Sequence, residues 1–397
     1  MLNDLLREIQ TLIRGGFGYL DAPSLGEEVL DQIDAWVGQF LAYEERYRHT
    51  QVLWIAHCWL SDCIEYTPRL LLLSPEPGCG KTRAMTVTNH LVPRPNHTAD
   101  ISPAGLYYSI DHALNRRGGR PTFLYDELDA AFPTPRSNEE MRKLINAGHD
   151  RHETLTRKIG KGEKEFRLFA PMALAGMMGI FDVPETIRDR SIIIPMQRKL
   201  PGEKVVRWNR HRHPAEAAPL RWLLRYWVEF AYPYILDYVK SDHPWIPEGI
   251  EDRDADCWEP LLLAGELAGG HWVERARVAA VAGVAASGVK AVPSVGVQLL
   301  EDIKTVFENP KASRLLTETI LEELKKLSPR WRFLDAQRLA KLLSSYGIKP
   351  FQQRHGKVNQ RGYSGDQFED PWARYLLPAT AATAATAATP ATKRNDR

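Results

Sequence analysis

The stretch R-L-L-L-L-S-P-E-P-G-C-G-K-T, Arg69 to Thr82, decides the fold of this chain. Leu70 to Leu73 is a short apolar run of the kind that forms a strand buried on both faces. It breaks at Ser74 into prolines and glycines, and helix-compatible residues resume at Arg83. Strand, glycine-rich turn and helix in that order form a phosphate-binding loop. Glycines let consecutive backbone N–H groups turn inward on phosphate oxygens, and the helix N-terminus adds positive potential. Pro77, Gly78, Cys79, Gly80, Lys81, Thr82 and Arg83 are therefore expected to hold ATP. Lys81 is expected to pair with the β- and γ-phosphates and Thr82 to ligate Mg²⁺ through its hydroxyl. Pro75 stands where the first glycine of the G-x-x-x-x-G-K-[ST] pattern belongs.

Further along, R-P-T-F-L-Y-D-E (Arg120 to Glu127) places a second buried-strand run, Thr122 to Tyr125, directly before two carboxylates. That arrangement holds Mg²⁺ through its water shell and orients an attacking water, so Asp126 is assigned to the metal and Glu127 to water activation. His97 to Ser102 is expected to be a strand, Pro103 to Leu114 a helix, and Ser137 to His149 a helix opened by an S-N-E-E capping box. Pro171 to Met177 supplies another buried strand. Val183 to Ile194, V-P-E-T-I-R-D-R-S-I-I-I, reads as helix, arginines and closing strand. In an AAA+ type ATPase such arginines complete the nucleotide site of a neighbouring subunit, which selects Arg190, with Arg188 as second choice. A trans arginine implies a homo-oligomeric ring. The strand end Ala175 to Gly179 lacks the usual polar sensor, for which Asn146 or His149 are the substitutes.

Net charge is only +2, so the placement of charge is more informative than its sum. Glu153 to Phe169 reads as a β-hairpin around a Gly-Lys-Gly-Glu turn, and Lys158, Lys161 and Lys164 make it a candidate DNA contact. From Pro329 to Tyr363, Arg330, Arg332, Arg338, Lys341, Lys349, Arg354, Lys357 and Arg361 are opposed only by Asp335. Helices there precede a strand, loop and strand, the order of a winged helix, and Arg354, Lys357 and Arg361 are its candidate DNA contacts. The four cysteines show no zinc spacing, the first residues are too charged for a signal peptide, and no apolar run spans a bilayer. A cytoplasmic protein without membrane contact is expected.

The expected architecture is an α/β P-loop NTPase (AAA+ like) core over 67–200. It is preceded by a helical N-terminal region (1–66) and followed by a helical lid (201–295). A basic winged-helix-like module (296–378) and an Ala-Ala-Thr tail (379–397) complete the chain. The rival function is a nucleotide-dependent switch or defence ATPase that assembles on a protein partner.

Seven blocks carry a resemblance: Thr67 to Arg83, Leu124 to Asp129, Leu144 to His149, Phe169 to Gly176, Pro184 to Ile192, Trp258 to Leu262 and Gly362 to Leu376. In this order they resemble an uncharacterised P-loop ATPase family of actinobacteria and their phages and plasmids, a domain often fused behind a primase module. The S-P-E-P-G-x-G-K-T form of the loop is typical of that family, which accommodates Pro75. The resemblance implies ATPase activity and a replicative helicase or initiator of a mobile element, acting on single-stranded or forked DNA. Any priming is expected from a separate primase chain.

Overall fold

A computed structural model describes residues 22–117, 119–134, 136–179, 182–239, 246–290, 295–308, 313–355 and 358–376. Residues 1–21 of the expected helical N-terminal region and the Ala-Ala-Thr tail lie outside them. The chain divides into two compact units, one ending at Gly288 and one beginning at Val289.

The first unit opens with helices α1 (Ala22–Gly38) and α2 (Glu45–Leu60). An alternating segment follows: β1 (Arg69–Leu73), α3 (Lys81–Leu91), β2 (Pro95–Thr98), α4 (Pro103–Arg117), β3 (Thr122–Tyr125), α5 (Leu128–Ala131) and α6 (Glu139–Ala147). A hairpin, β4 (Thr154–Ile159) and β5 (Gly162–Arg167), precedes β6 (Met172–Gly176), α7 (Glu185–Arg188) and β7 (Ser191–Pro195). Three long helices end the unit, α8 (His213–Val239), α9 (Asp252–Ala268) and α10 (His271–Lys290).

Five strands form one sheet in the order β2-β3-β6-β1-β7, and every pairing in it is parallel. A parallel sheet needs cover on both faces, and β1 shows how the sequence provides it. Successive side chains point to opposite faces. Leu70 and Leu72 join a core with Val52 and Leu53 of α2, Ala84 and Met85 of α3, Trp227 of α8 and Leu261 of α9. Leu71 and Leu73 join the other, with Ile110 of α4, Leu144 and Ile145 of α6, and Phe166 of β5. The terminal helices thus share one core with the sheet, which is why residues 22–60, 213–239 and 252–268 belong to the same compact unit as the strands.

Two local expectations are corrected. The N-cap of α6 is Asn138, not Ser137: Asn138 Oδ1 accepts from Met141 N at 3.3 Å, while Ser137 Oγ is turned back to Thr134 O. β2 begins at Pro95, two residues before the expected His97, because Pro95 is in register with Thr122 of β3.

The second unit contains α11 (Val295–Glu308), β8 (Arg314–Leu316), α12 (Thr317–Leu327), a 3₁₀ turn (Pro329–Trp331), α13 (Ala336–Ser344), β9 (Phe351–His355), β10 (Val358–Ser364) and α14 (Asp366–Tyr375). Leu299, Ile303 and Phe307 of α11, Ile320 and Leu324 of α12, and Leu339 and Leu343 of α13 recur at helical spacing and meet Tyr363 and Phe368 in one core. Arg314–Leu316 pair with Gly362–Ser364, so the helix begins only at Thr317. The sheet ladder there overrides local helix preference.

Candidate functional site

All five parallel strands end at one edge of the sheet, so the loops after β1, β3, β6 and β7 meet there. Such an edge is where open α/β sheets bind ligands. Gly78 and Gly80 sit at φ +78° and +86°, the left-handed region that side chains disfavour. Gly80 is the N-cap of α3, so Lys81 and Thr82 open the helix. Lys81 Nζ donates to Ser74 Oγ and, at 3.4 Å, to Glu76 O. Ser74, itself buried, donates to Glu76 O at 2.7 Å, and Cys79 Sγ lies 3.3 Å from the same carbonyl. Thr82 is exposed on the first turn of α3. Arg83 lies over the Trp208 ring at 5.4 Å, and burial pushes its guanidinium below the usual arginine range.

Asp126 and Glu127 follow β3 at the same edge. β6 separates β3 from β1, so two strand spacings, about 10 Å, divide the acids from the loop. Glu127 has φ +67° and caps α5 without a side-chain bond. A non-glycine residue costs about 1–3 kcal/mol in that region, and such cost persists where the fold over-determines it. Its carboxylate accepts no hydrogen bond among the described residues.

Three residues that sequence reasoning passed over also lie here. Ser74 holds the Lys81 ammonium. Asp129 Oδ1 accepts from Met177 N at 2.8 Å, tying α5 to the end of β6. Arg198, just past β7, donates from Nε to Pro77 O at 3.0 Å. Ser74 was legible, as the polar residue that ends the apolar run; Asp129 and Arg198 carry no local signal, since their partners are distant in sequence.

Arg188 and Arg190 are not at this edge. They precede β7, and Arg190 O accepts from Arg69 N at the start of β1, so they mark the opposite edge of the sheet. Arg190 Nη1 donates to Thr186 O at 3.0 Å. Asn146 and His149 lie there too, which corrects their assignment as sensors. Asn146 Nδ2 donates to Thr186 Oγ1 at 2.9 Å, and buried His149 bonds to Thr67 O at 3.0 Å. Burial, reinforced by the Arg69 charge, pushes His149 down to about 3, so it is neutral. Arg69, fully buried, donates to Ile145 O and Ala170 O; the first belongs to the last turn of α6, whose negative dipole end suits a cation.

Of the candidate DNA contacts, Lys158 and Lys161 are exposed on the β4–β5 hairpin, Lys161 in its turn. Lys164 is committed to Asp111, Nζ to Oδ2 at 2.6 Å. In the second unit Arg361 is exposed and Arg354 is on β9 opposite Asn359 of β10. Lys357 lies outside the described residues. Among the described residues no group of three or more His, Cys, Asp or Glu side chains is placed to hold a metal ion by itself. No helix among them is long and apolar enough to cross a membrane.

The fold and this edge define an α/β protein with a five-stranded parallel sheet and a glycine-rich, lysine-containing loop at the edge where its strands end. Residues 195–375 match the family described as "Protein of unknown function (DUF3631)". A 28.9 kDa uncharacterised protein in the xis 5′ region of Saccharopolyspora erythraea is 32% identical over 191 residues, which are 46% of this chain and 70% of that protein. The chain belongs to this family. The family match begins at the end of β7 and runs into α14, so it covers the helices after the sheet and the second unit, and not the loop or the acidic pair.

Proposed function

We propose that the protein is an ATP-hydrolysing oligomeric motor of the P-loop, AAA+ like class that acts on DNA, as a replicative helicase or initiator of a phage or other mobile element. The observation that carries the proposal is the meeting of the left-handed loop, Lys81 and Thr82 with Asp126 and Glu127 at one sheet edge, with β6 interposed. The residues fit ATP with Mg²⁺. The Lys81 ammonium bonds to oxygens of its own loop, the acceptor type that a phosphate offers. One hydroxyl and one carboxylate, Thr82 and Asp126, suit a cation that keeps most of its ligands as water and phosphate. Bound Mg²⁺ would supply neutralisation of phosphate charge.

The remaining chemistry belongs to the chain. Backbone N–H groups of the loop orient the phosphates, and Lys81 compensates charge on the transferred group. Glu127, held with its carboxylate unbonded, accepts the proton of the attacking water. Arg190 is at the far edge, so it serves the site of a neighbouring copy, and a ring is the assembly that gives every site one such arginine. Lys158 and Lys161 present charge to the DNA backbone, and the helix, strand, two-helix and hairpin order of the second unit supports a winged-helix module with Arg361 at its hairpin.

The test is ATP turnover at low salt with and without single-stranded and forked DNA. Stimulation is expected; equal rates would overturn the DNA part of the proposal while leaving the ATPase part standing. A second reading, a nucleotide-dependent switch that assembles on a protein partner, draws support from the Lys164–Asp111 pair, which removes one of the three hairpin cations from service. It predicts DNA-independent turnover and nucleotide-dependent assembly.

A further inference from the structure

The second unit contains a pocket of about 550 Å³ between the start of α12, α13 and β10. That volume falls in the range of small-molecule sites. Glu318, Gln337, Pro350, Gln360, Arg361 and Tyr363 are among its lining residues. Tyr363 is fully buried, its ring part of the unit's core near Phe368, yet its hydroxyl has no hydrogen-bond partner among the described residues. Gln360 Oε1 is also buried without a partner. Buried polar atoms are bonded in the great majority of cases, so two orphans on one pocket point to something that the pocket receives. Arg361 and Tyr363 are two residues apart and so share a face of β10. The strand is held against α12 by Thr317 Oγ1, which donates to Arg361 O at 3.0 Å. The guanidinium acts on the phenol electrostatically, opposing the rise that burial imposes on it.

We propose that this pocket binds one nucleotide, with Tyr363, Gln360 and Gln337 hydrogen-bonding the edge of its base and Arg361 pairing with its phosphate. The lining chemistry selects this class. A phenol and carboxamides can donate and accept, which matches the mixed edge of a nucleobase. Pro350 supplies an apolar wall for a ring face. A bare anion fits worse, because it has no donor for the Gln360 acceptor, and a purely apolar ligand would leave Tyr363 and Gln360 unbonded. The nucleotide has two sources, free in solution or unpaired in a DNA strand, and only the second rests on the DNA function proposed above.

The experiment uses the full chain carrying Lys81→Ala, so that the loop at the sheet edge does not compete. It is titrated calorimetrically with each of the four deoxynucleoside monophosphates and with short single-stranded oligonucleotides of each base. Tyr363→Phe is compared in the same background. The expected result is binding of at least one of these ligands, weakened about tenfold by Tyr363→Phe, the scale of one hydrogen bond. The ligand-free unfolding midpoint should stay equal or rise, because a buried donor without a partner has been removed. Exposed Gln337→Ala gives a second variant, expected to weaken binding without disturbing the core. Dependence on Tyr363 with the strand alone supports a strand nucleotide. The same dependence with free monophosphates alone supports the pocket and removes the DNA role of this unit. No binding, equal binding by both variants and the parent, or a lower midpoint with unchanged binding would overturn the proposal.

Discussion

The two edges of the parallel sheet both carry charged side chains and use them in opposite ways. At the edge where the strands end, Glu76, Gly78, Thr82 and Glu127 are exposed, and three residues hold left-handed backbone. At the edge where the strands begin, Arg69 is fully buried, bonded to helix-end and loop carbonyls, and His149 is neutral against Thr67 O. Fully buried His57 adjoins it through Thr67 Oγ1 at 2.9 Å. Charge at the first edge is available to a ligand; charge at the second is consumed by the scaffold. The contrast teaches that closeness to the glycine-rich loop in sequence does not place a cation at its edge, since Arg69, twelve residues before Lys81, is buried at the opposite one. Arg190 is the informative case, since it stands at the scaffold edge and is only half-buried.

The largest break in the comparison should come from Lys81→Ala. Removing the ammonium at the ligand edge is expected to take ATP turnover below detection while the unfolding midpoint moves little. An unfolding change as large as that of a core substitution would mean that Lys81 is scaffold as well. Arg190→Ala comes next, with a loss of about 10³-fold if the arginine completes a neighbour's site. Mixing it with Lys81→Ala protein should restore part of the activity, because hybrid assemblies contain sites with both groups. No rescue at any ratio would return Arg190 to the scaffold. Glu127→Gln is expected to cost about 10²-fold in turnover and leave ATP affinity intact, as measured by single-turnover kinetics and equilibrium binding. Normal hydrolysis would remove Glu127 as the base and direct attention to Asp129, which shares its helix.

The ligand edge was readable in the sequence because its elements are local. An apolar run, a glycine turn and G-K-T lie within fourteen residues, Arg69 to Thr82. Two carboxylates directly follow a second apolar run. The scaffold edge was not readable, because its bonds join residues far apart: Arg69 to Ile145 and Ala170, and His149 to Thr67. No period or spacing announces such partners. The same limit explains why Asn146 and His149 passed as sensors, why Asp129 and Arg198 were passed over, and why the helical flanks looked separable from the sheet.

The smallest effect expected concerns the scaffold edge alone, and it separates the edges by pH. Burial, with the Arg69 charge adding to it, pushes both His57 and His149 down to about 3, from an ordinary 6.5. Between those values the unfolded chain binds a proton at each histidine and the folded chain does not. The stabilisation is therefore complete above about pH 6.5 and declines as the pH falls toward 3, by about 1.4 kcal/mol per pH unit for each residue. Asp189, Asp254 and Asp256, in the same region, work the other way. Burial raises their carboxyls, so the penalty they impose is relieved as the pH falls toward the ordinary 3.8. Urea midpoints measured from pH 7 to pH 4 should fall where the histidines outweigh these aspartates, and His149→Gln should make that fall shallower, since one histidine that is neutral only in the fold is gone. An unchanged slope in the variant would mean that His149 is protonated in the fold, which would reopen it as a functional charge and blur the division between the edges.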